Sequence, residues 1–135
     1  MELMANALQG LGLKHAFVVH GANGLDEVSI SSRTYVVEIL GNEIRQFMMT
    51  PEDFAIPSAR MDAILGGNAL ENAKIIESIF RGERGPKRDV VLLNTAPALV
   101  AAGATSTWKE GIRLAAESID SGAALRKLEE LRTFV

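Results

Sequence analysis

The run Ala16-Phe17-Val18-Val19 is apolar without interruption, and it breaks straight into His20-Gly21-Ala22-Asn23-Gly24-Leu25-Asp26-Glu27, a glycine-bearing loop ending in two adjacent carboxylates. Bounded by the polar step Lys14-His15 on one side and by the loop on the other, the run predicts a short strand buried on both faces. A strand of that kind needs cover over both faces and hydrogen-bonding neighbours for its main chain. With 135 residues and 47% hydrophobic content the chain can build one such core, so one domain is expected. Only 5% of residues are aromatic, which leaves Ile, Leu, Val, Ala and Met to fill the core and favours helices packed on a sheet.

The rest of the chain reads as elements around this strand. Leu3, Met4, Ala7, Leu8 and Leu11 fall at helical spacing, and Gly10 and Gly12 stand where a short first helix would end. Thr34 to Leu40 and Glu43 to Met49, linked by Gly41-Asn42, predict a tight hairpin. Thr50-Pro51-Glu52-Asp53 looks like the start of a helical turn, cut short by Pro57. Asn68 with Glu71 opens a helix whose inner stripe is read as Leu70, Ala73, Ile76 and Phe80, ending at Gly82. Gly82 to Arg88 reads as a charged, solvent-facing connector, and Asp89 to Asn94, with Val90, Val91, Leu92 and Leu93, as a second buried strand. Pro97 then suits the first turn of a helix ending near Gly103. Thr107 with Glu110 starts a helix bearing Trp108, Ile112, Ala115 and Ile119 on one face, and a last helix uses Leu125, Leu128 and Leu131.

Fourteen basic and seventeen acidic residues give a net charge of -3, too balanced to make nucleic acid an expected partner. The absence of cysteine rules out disulfides and thiolate metal sites and is compatible with a cytoplasmic protein. No apolar stretch approaches the ~20 residues that span a bilayer, and the acidic start lacks the features of a secretory signal.

Asp26 and Glu27 are the candidate metal ligands, because carboxylate oxygens in a loop suit magnesium, which binds through one or two carboxylates plus substrate phosphate. On spacing alone, two solvated carboxylates at a strand edge are the better reading of the pair. His20 is expected to have its ring satisfied by loop backbone, and Gly21 and Gly24 to permit unusual backbone angles. Gly66-Gly67-Asn68 is expected to be a helix cap and not an anion site, and Asn94 either a ligand contact or a cap for the helix near Pro97. Trp108 and the methionines are core or interface candidates.

These segments, taken in order, resemble anthranilate phosphoribosyltransferase. Ala16 to Glu27 is similar to its AxVVHGxxGLDE signature, and Thr50 to Phe54 to its TPEDFG, where Ala55 departs from the usual glycine. Gly66 to Ala73 is similar to GGxxxENA, and Asp89 to Ala98 to DxVLLNAAxAL. The resemblance implies the C-terminal part of a phosphoribosyltransferase α/β domain: a mixed, mostly parallel sheet with a β-hairpin and flanking helices. It implies a single C-terminal region over residues 1–135, with a helical domain, the glycine-rich donor loop and the anthranilate-contacting arginine lying outside it. It further implies Asp26 and Glu27 as ligands of Mg2+, phosphoribosyl pyrophosphate held through that magnesium, anthranilate as acceptor in the complete enzyme, a homo-oligomer, and inactivity of this chain alone. No catalytic residue is assigned. The competing readings are a noncatalytic α/β assembly module joined to another chain through an open sheet edge, and a part of a nucleoside-phosphorylase-type enzyme.

Overall fold

The computed structural model describes residues 1–134. Helix α1 (Glu2–Gly10) leads into strand β1 (His15–Gly21), and the hairpin β2 (Thr34–Leu40) and β3 (Glu43–Met49) follows. Short helical turns at Pro51–Phe54 and Met61–Ile64 lead to α2 (Ala69–Phe80), α3 (Pro86–Ala101), α4 (Trp108–Asp120) and α5 (Ala123–Thr133). The α/β class, the hairpin and the flanking helices are as expected. The sheet differs, because it is ordered β1-β2-β3 and both pairings are antiparallel, with no parallel pair among the described residues.

The difference traces to residues 89–94, which belong to α3 and not to a strand. A short unbroken apolar run fits a buried strand or a buried helix equally well, and the longer pattern decides between them. In α3 the buried positions are Arg88, Leu92, Leu93, Ala96, Pro97 and Val100, a helical spacing that extends beyond the run on both sides. Pro86, not Pro97, occupies the first turn, and Pro97 lies inside the helix.

The sheet lies between α1 on one face and the later helices on the other. Val18, Val37 and Ile39 pack with Ala5 of α1, with Leu8, Ala16 and Ile44 against them. On the opposite face Val36 and Met49 pack with Leu93, Ala96 and Val100 of α3, with Trp108 of α4, and with Val28 and Ile30 of the loop after β1; Phe17 and Val19 adjoin them. Adjacent residues Val36 and Val37 thus enter opposite cores, as the two-residue period of a strand requires. β1 has neighbours on both faces, but as an edge strand it is buried less than expected: Val18 is buried, whereas Ala16, Phe17 and Val19 are only half-buried. A third cluster joins α2, α3 and α4 through Ile79, Leu92, Ala115 and Ile119. Close approach of α3 to α4 requires Gly111, where a Cβ would lie 2.9 Å from the Ala96 Cα.

Two further expectations are corrected. The inner face of α2 carries Ile75 and Ile79, whereas Leu70 is 66% and Ile76 45% exposed. The connector read from Gly82 to Arg88 stops short, since α3 begins at Pro86 and Arg88 is 4% exposed. Arg88 Nη1 donates to Asp120 Oδ1 at 2.7 Å, tying α3 to the end of α4. This hydrogen bond holds the Asp120 carboxyl below the usual carboxylate range and raises the Arg88 guanidinium.

Ala55, the departure from the TPEDFG pattern, has φ 59° and ψ 27°, the left-handed conformation that glycine adopts freely. For an L-residue this geometry costs about 1–2 kcal/mol, partly offset by the smaller chain entropy of alanine in the unfolded state. Ala55→Gly is expected to raise stability by up to ~1 kcal/mol in a denaturant titration. A lower midpoint would show that the turn carries no such strain.

Candidate metal-binding loop

At the end of β1 the Gly21 N–H donates to the Leu25 C=O at 2.9 Å, and the Gly24 N–H returns to the Gly21 C=O at 2.9 Å, closing a tight loop. Gly24 takes φ 93°, which explains its place there. Gly21 serves for a different reason: a Cβ on it would lie 2.6 Å from Asn23 Oδ1 and 3.1 Å from the Cβ atoms of Leu25 and Ser29. Asn23 in turn donates to Ser31 Oγ at 2.8 Å.

The segment after the carboxylates is fixed by side chains, because it lies outside the strand ladder. Ser29 is fully buried; its N–H donates to Thr34 Oγ1 at 2.9 Å, and its Oγ accepts from the amides of Ser31 at 3.1 Å and Ser32 at 3.2 Å. The Asn94 Oδ1 accepts the Val28 N–H at 2.8 Å, while its Nδ2 donates to the Val28 C=O and to the Val90 C=O, each at 3.0 Å. Asn94 therefore neither faces a ligand nor caps a helix, the two roles its sequence suggested.

Asp26 and Glu27 lie between these fixed points, and both are exposed. Among the described residues neither forms a hydrogen bond or an ion pair, so their acceptor oxygens remain open to solvent. No group of three or more His, Cys, Asp and Glu comes together as a metal cluster among the described residues. The chain thus offers a carboxylate pair and no closed cage, which fits a magnesium ion that keeps waters and shares a phosphate ligand. Two uncompensated negative charges on consecutive residues also favour a divalent cation.

The remaining expectations fall elsewhere. His20 is exposed and makes no hydrogen bond to the loop backbone among the described residues. Asn68 is a cap, as expected: its side chain accepts the Glu71 N–H at 3.0 Å and the Glu71 carboxylate accepts the Asn68 N–H at 2.8 Å. Trp108 is in the core, its ring edge-on to Phe17 at 5.4 Å and stacked with Phe54 at 5.9 Å. Met49 is 6% and Met48 57% exposed. The roles of Ser29, Thr34 and Asn94 were not read from the sequence. The available signal was an amide in the middle of an apolar stretch, which has to find polar partners when packed.

An α/β layer with an acidic loop at a strand end has known counterparts. Residues 1–125 match the glycosyl transferase family, a/b domain, and the chain belongs to that family. Within it, the chain is 49% identical over 133 residues to the anthranilate phosphoribosyltransferase of Acetivibrio thermocellus, a match covering 98% of this chain and 39% of that protein. The crystal structure of anthranilate phosphoribosyltransferase from Thermus thermophilus superposes with a TM-score of 0.84 at 38% identity, covering 94% of this chain and 37% of the other. The Saccharomyces cerevisiae enzyme in complex with PRPP and Mg superposes with a TM-score of 0.76 at 36% identity, covering 85% of this chain and 33% of the other. The chain therefore spans well under half the length of the proteins it resembles. No helix among the described residues is long and apolar enough to cross a membrane.

Proposed function

We propose that this chain is the magnesium-carrying part of an anthranilate phosphoribosyltransferase, an enzyme of tryptophan biosynthesis, and that it is inactive without the remainder of that protein. The carrying observation is the exposed, unpaired Asp26–Glu27 step held between two fixed peptide groups, on a fold shared with a relative bound to PRPP and Mg. In the complete protein the anthranilate amine forms a bond to the anomeric carbon of phosphoribosyl pyrophosphate, the bond to the diphosphate breaks, and the amine loses a proton. Bound magnesium supplies neutralisation of the charge gathering on the diphosphate. Asp26 and Glu27 would hold that ion through their carboxylates, which the loop keeps in place.

No covalent nucleophile is needed, so two histidines and no cysteine suffice. The helical domain, the donor glycine loop and the anthranilate-contacting arginine belong to the remainder, which completes the region formed by residues 1–135. Homo-oligomeric assembly and residence in the cytoplasm are part of the same reading.

The test is a chimera in which residues 1–135 replace the matching part of the Acetivibrio thermocellus enzyme. Magnesium-dependent formation of phosphoribosyl anthranilate is expected from the chimera and not from the isolated chain. A folded, phosphoribosyl pyrophosphate-binding chimera that fails to turn over with magnesium would remove this assignment.

A further inference from the structure

We infer that Asn94 is a positioning residue for cation binding, acting on Asp26 and Glu27 through the backbone of Val28; the inference rests on the metal-site reading above. A polar side chain midway along α3, on a helix that otherwise packs Leu93, Ala96 and Val100 into the core, is out of keeping with packing unless it has partners. Asn94 has three of them, and two belong to one residue 66 positions away, which no need of its own helix explains.

Val28 is 2% exposed and lies outside every strand, so neither water nor a ladder can serve its peptide groups. The Asn94 amide presents one acceptor and one donor side by side and stands in for the missing strand neighbour. Among side chains, only the carboxamide of Asn or Gln combines those two functions in this way. Upstream, the Leu25 C=O is held by the Gly21 N–H at 2.9 Å. Only Asp26 and Glu27 lie between the two fixed residues, so few backbone rotations remain to move their carboxylates. Leu93, the neighbour of Asn94, is fully buried against the sheet, so the clamp is mounted on a rigid support.

Partners that orient metal ligands are worth about 10–100-fold in affinity. The experiment titrates the 135-residue chain with Mn2+ alone and follows paramagnetic broadening of the backbone amides of residues 25–28. Selective broadening of those amides is expected in the parent chain. In Asn94→Ala the midpoint is expected to move about tenfold or more to higher Mn2+. Leu92→Ala truncates the core on another face of α3 and is expected to leave the midpoint unchanged. Should Asn94→Ala not fold, Asn94→Ser takes its place: its hydroxyl is too short to span both Val28 groups, and the same shift is expected. An unchanged midpoint in the Asn94 variant overturns the inference while leaving the metal site standing. An equal shift in Leu92→Ala also overturns it, because the effect would then be one of general stability. No selective broadening in the parent chain overturns the metal-site reading and this inference with it.

Discussion

Neutralising both carboxylates, as Asp26→Asn with Glu27→Gln in the chimera, is expected to lower magnesium-dependent kcat/KM by about two to three orders of magnitude while leaving the fold intact. A loss of that size corresponds to ~3–4 kcal/mol at 1.36 kcal/mol per tenfold, in keeping with the several kcal/mol that a bound cation contributes to charge stabilisation. The substitutions keep side-chain shape and remove only charge. Because neither residue has a hydrogen-bond or ion-pair partner among the described residues and both are exposed, the fold loses nothing with them. The change in unfolding free energy should stay within about 0.5 kcal/mol, as for other surface substitutions away from special features. The separation of the two measurements is the diagnostic part: a structural carboxylate pair would show the opposite, stability lost and turnover kept. Raising magnesium should recover part of the activity of each single variant, since one carboxylate remains to hold the ion. Undiminished kcat/KM in the double variant at limiting magnesium would rule out the pair as its ligands.

The parts of this site that were legible from the sequence are those set by local chemistry. The Gly41-Asn42 link and the Asn68 and Thr107 caps each depend on a few neighbouring residues, and the structure forms each of them locally. Asp26 and Glu27 stand out only through the family resemblance, since spacing alone favours two solvated carboxylates. What was not legible depends on distant partners. The Asn94 clamp joins residues 66 positions apart, and the burial of Arg88 depends on Asp120, 32 positions away. No local pattern encodes such pairings. The antiparallel sheet was missed for a related reason: Val90 to Leu93 carries no periodicity of its own, and the helical spacing appears only when Arg88 and Ala96 to Val100 are read with it.

Leu93→Ala puts that correction to the test, with the largest stability effect expected of a single truncation here. Leu93 is fully buried, and its surroundings come from the loop (Val28, Ile30), β2 (Val36), β3 (Met49) and α4 (Trp108). Truncation removes the transfer free energy of the lost atoms and leaves a cavity whose walls belong to separate elements that cannot all close in. The expected cost is about 2–5 kcal/mol, a large share of the ~5–15 kcal/mol that keeps a domain folded. At roughly 3–4 °C per kcal/mol for a chain of this size, the Tm should fall by about 6–20 °C. Leu92→Ala draws on another cluster, with Ile79, Ala115 and Ile119, but Ile112 packs against both clusters, so the two losses are expected to depart from additivity by about 0.5 kcal/mol or more. Leu70, 66% exposed, is the control whose truncation should cost little. A helix rotates successive side chains by about 100°, which lets Leu92 and Leu93 feed two cores on neighbouring faces while Asn94 turns toward Val28. A strand would send Leu92 and Asn94 to one face and Leu93 to the other, placing the amide in the Leu92 cluster. Stability losses at both Leu92 and Leu93, with the effect on metal binding confined to Asn94, are the pattern expected of the helix.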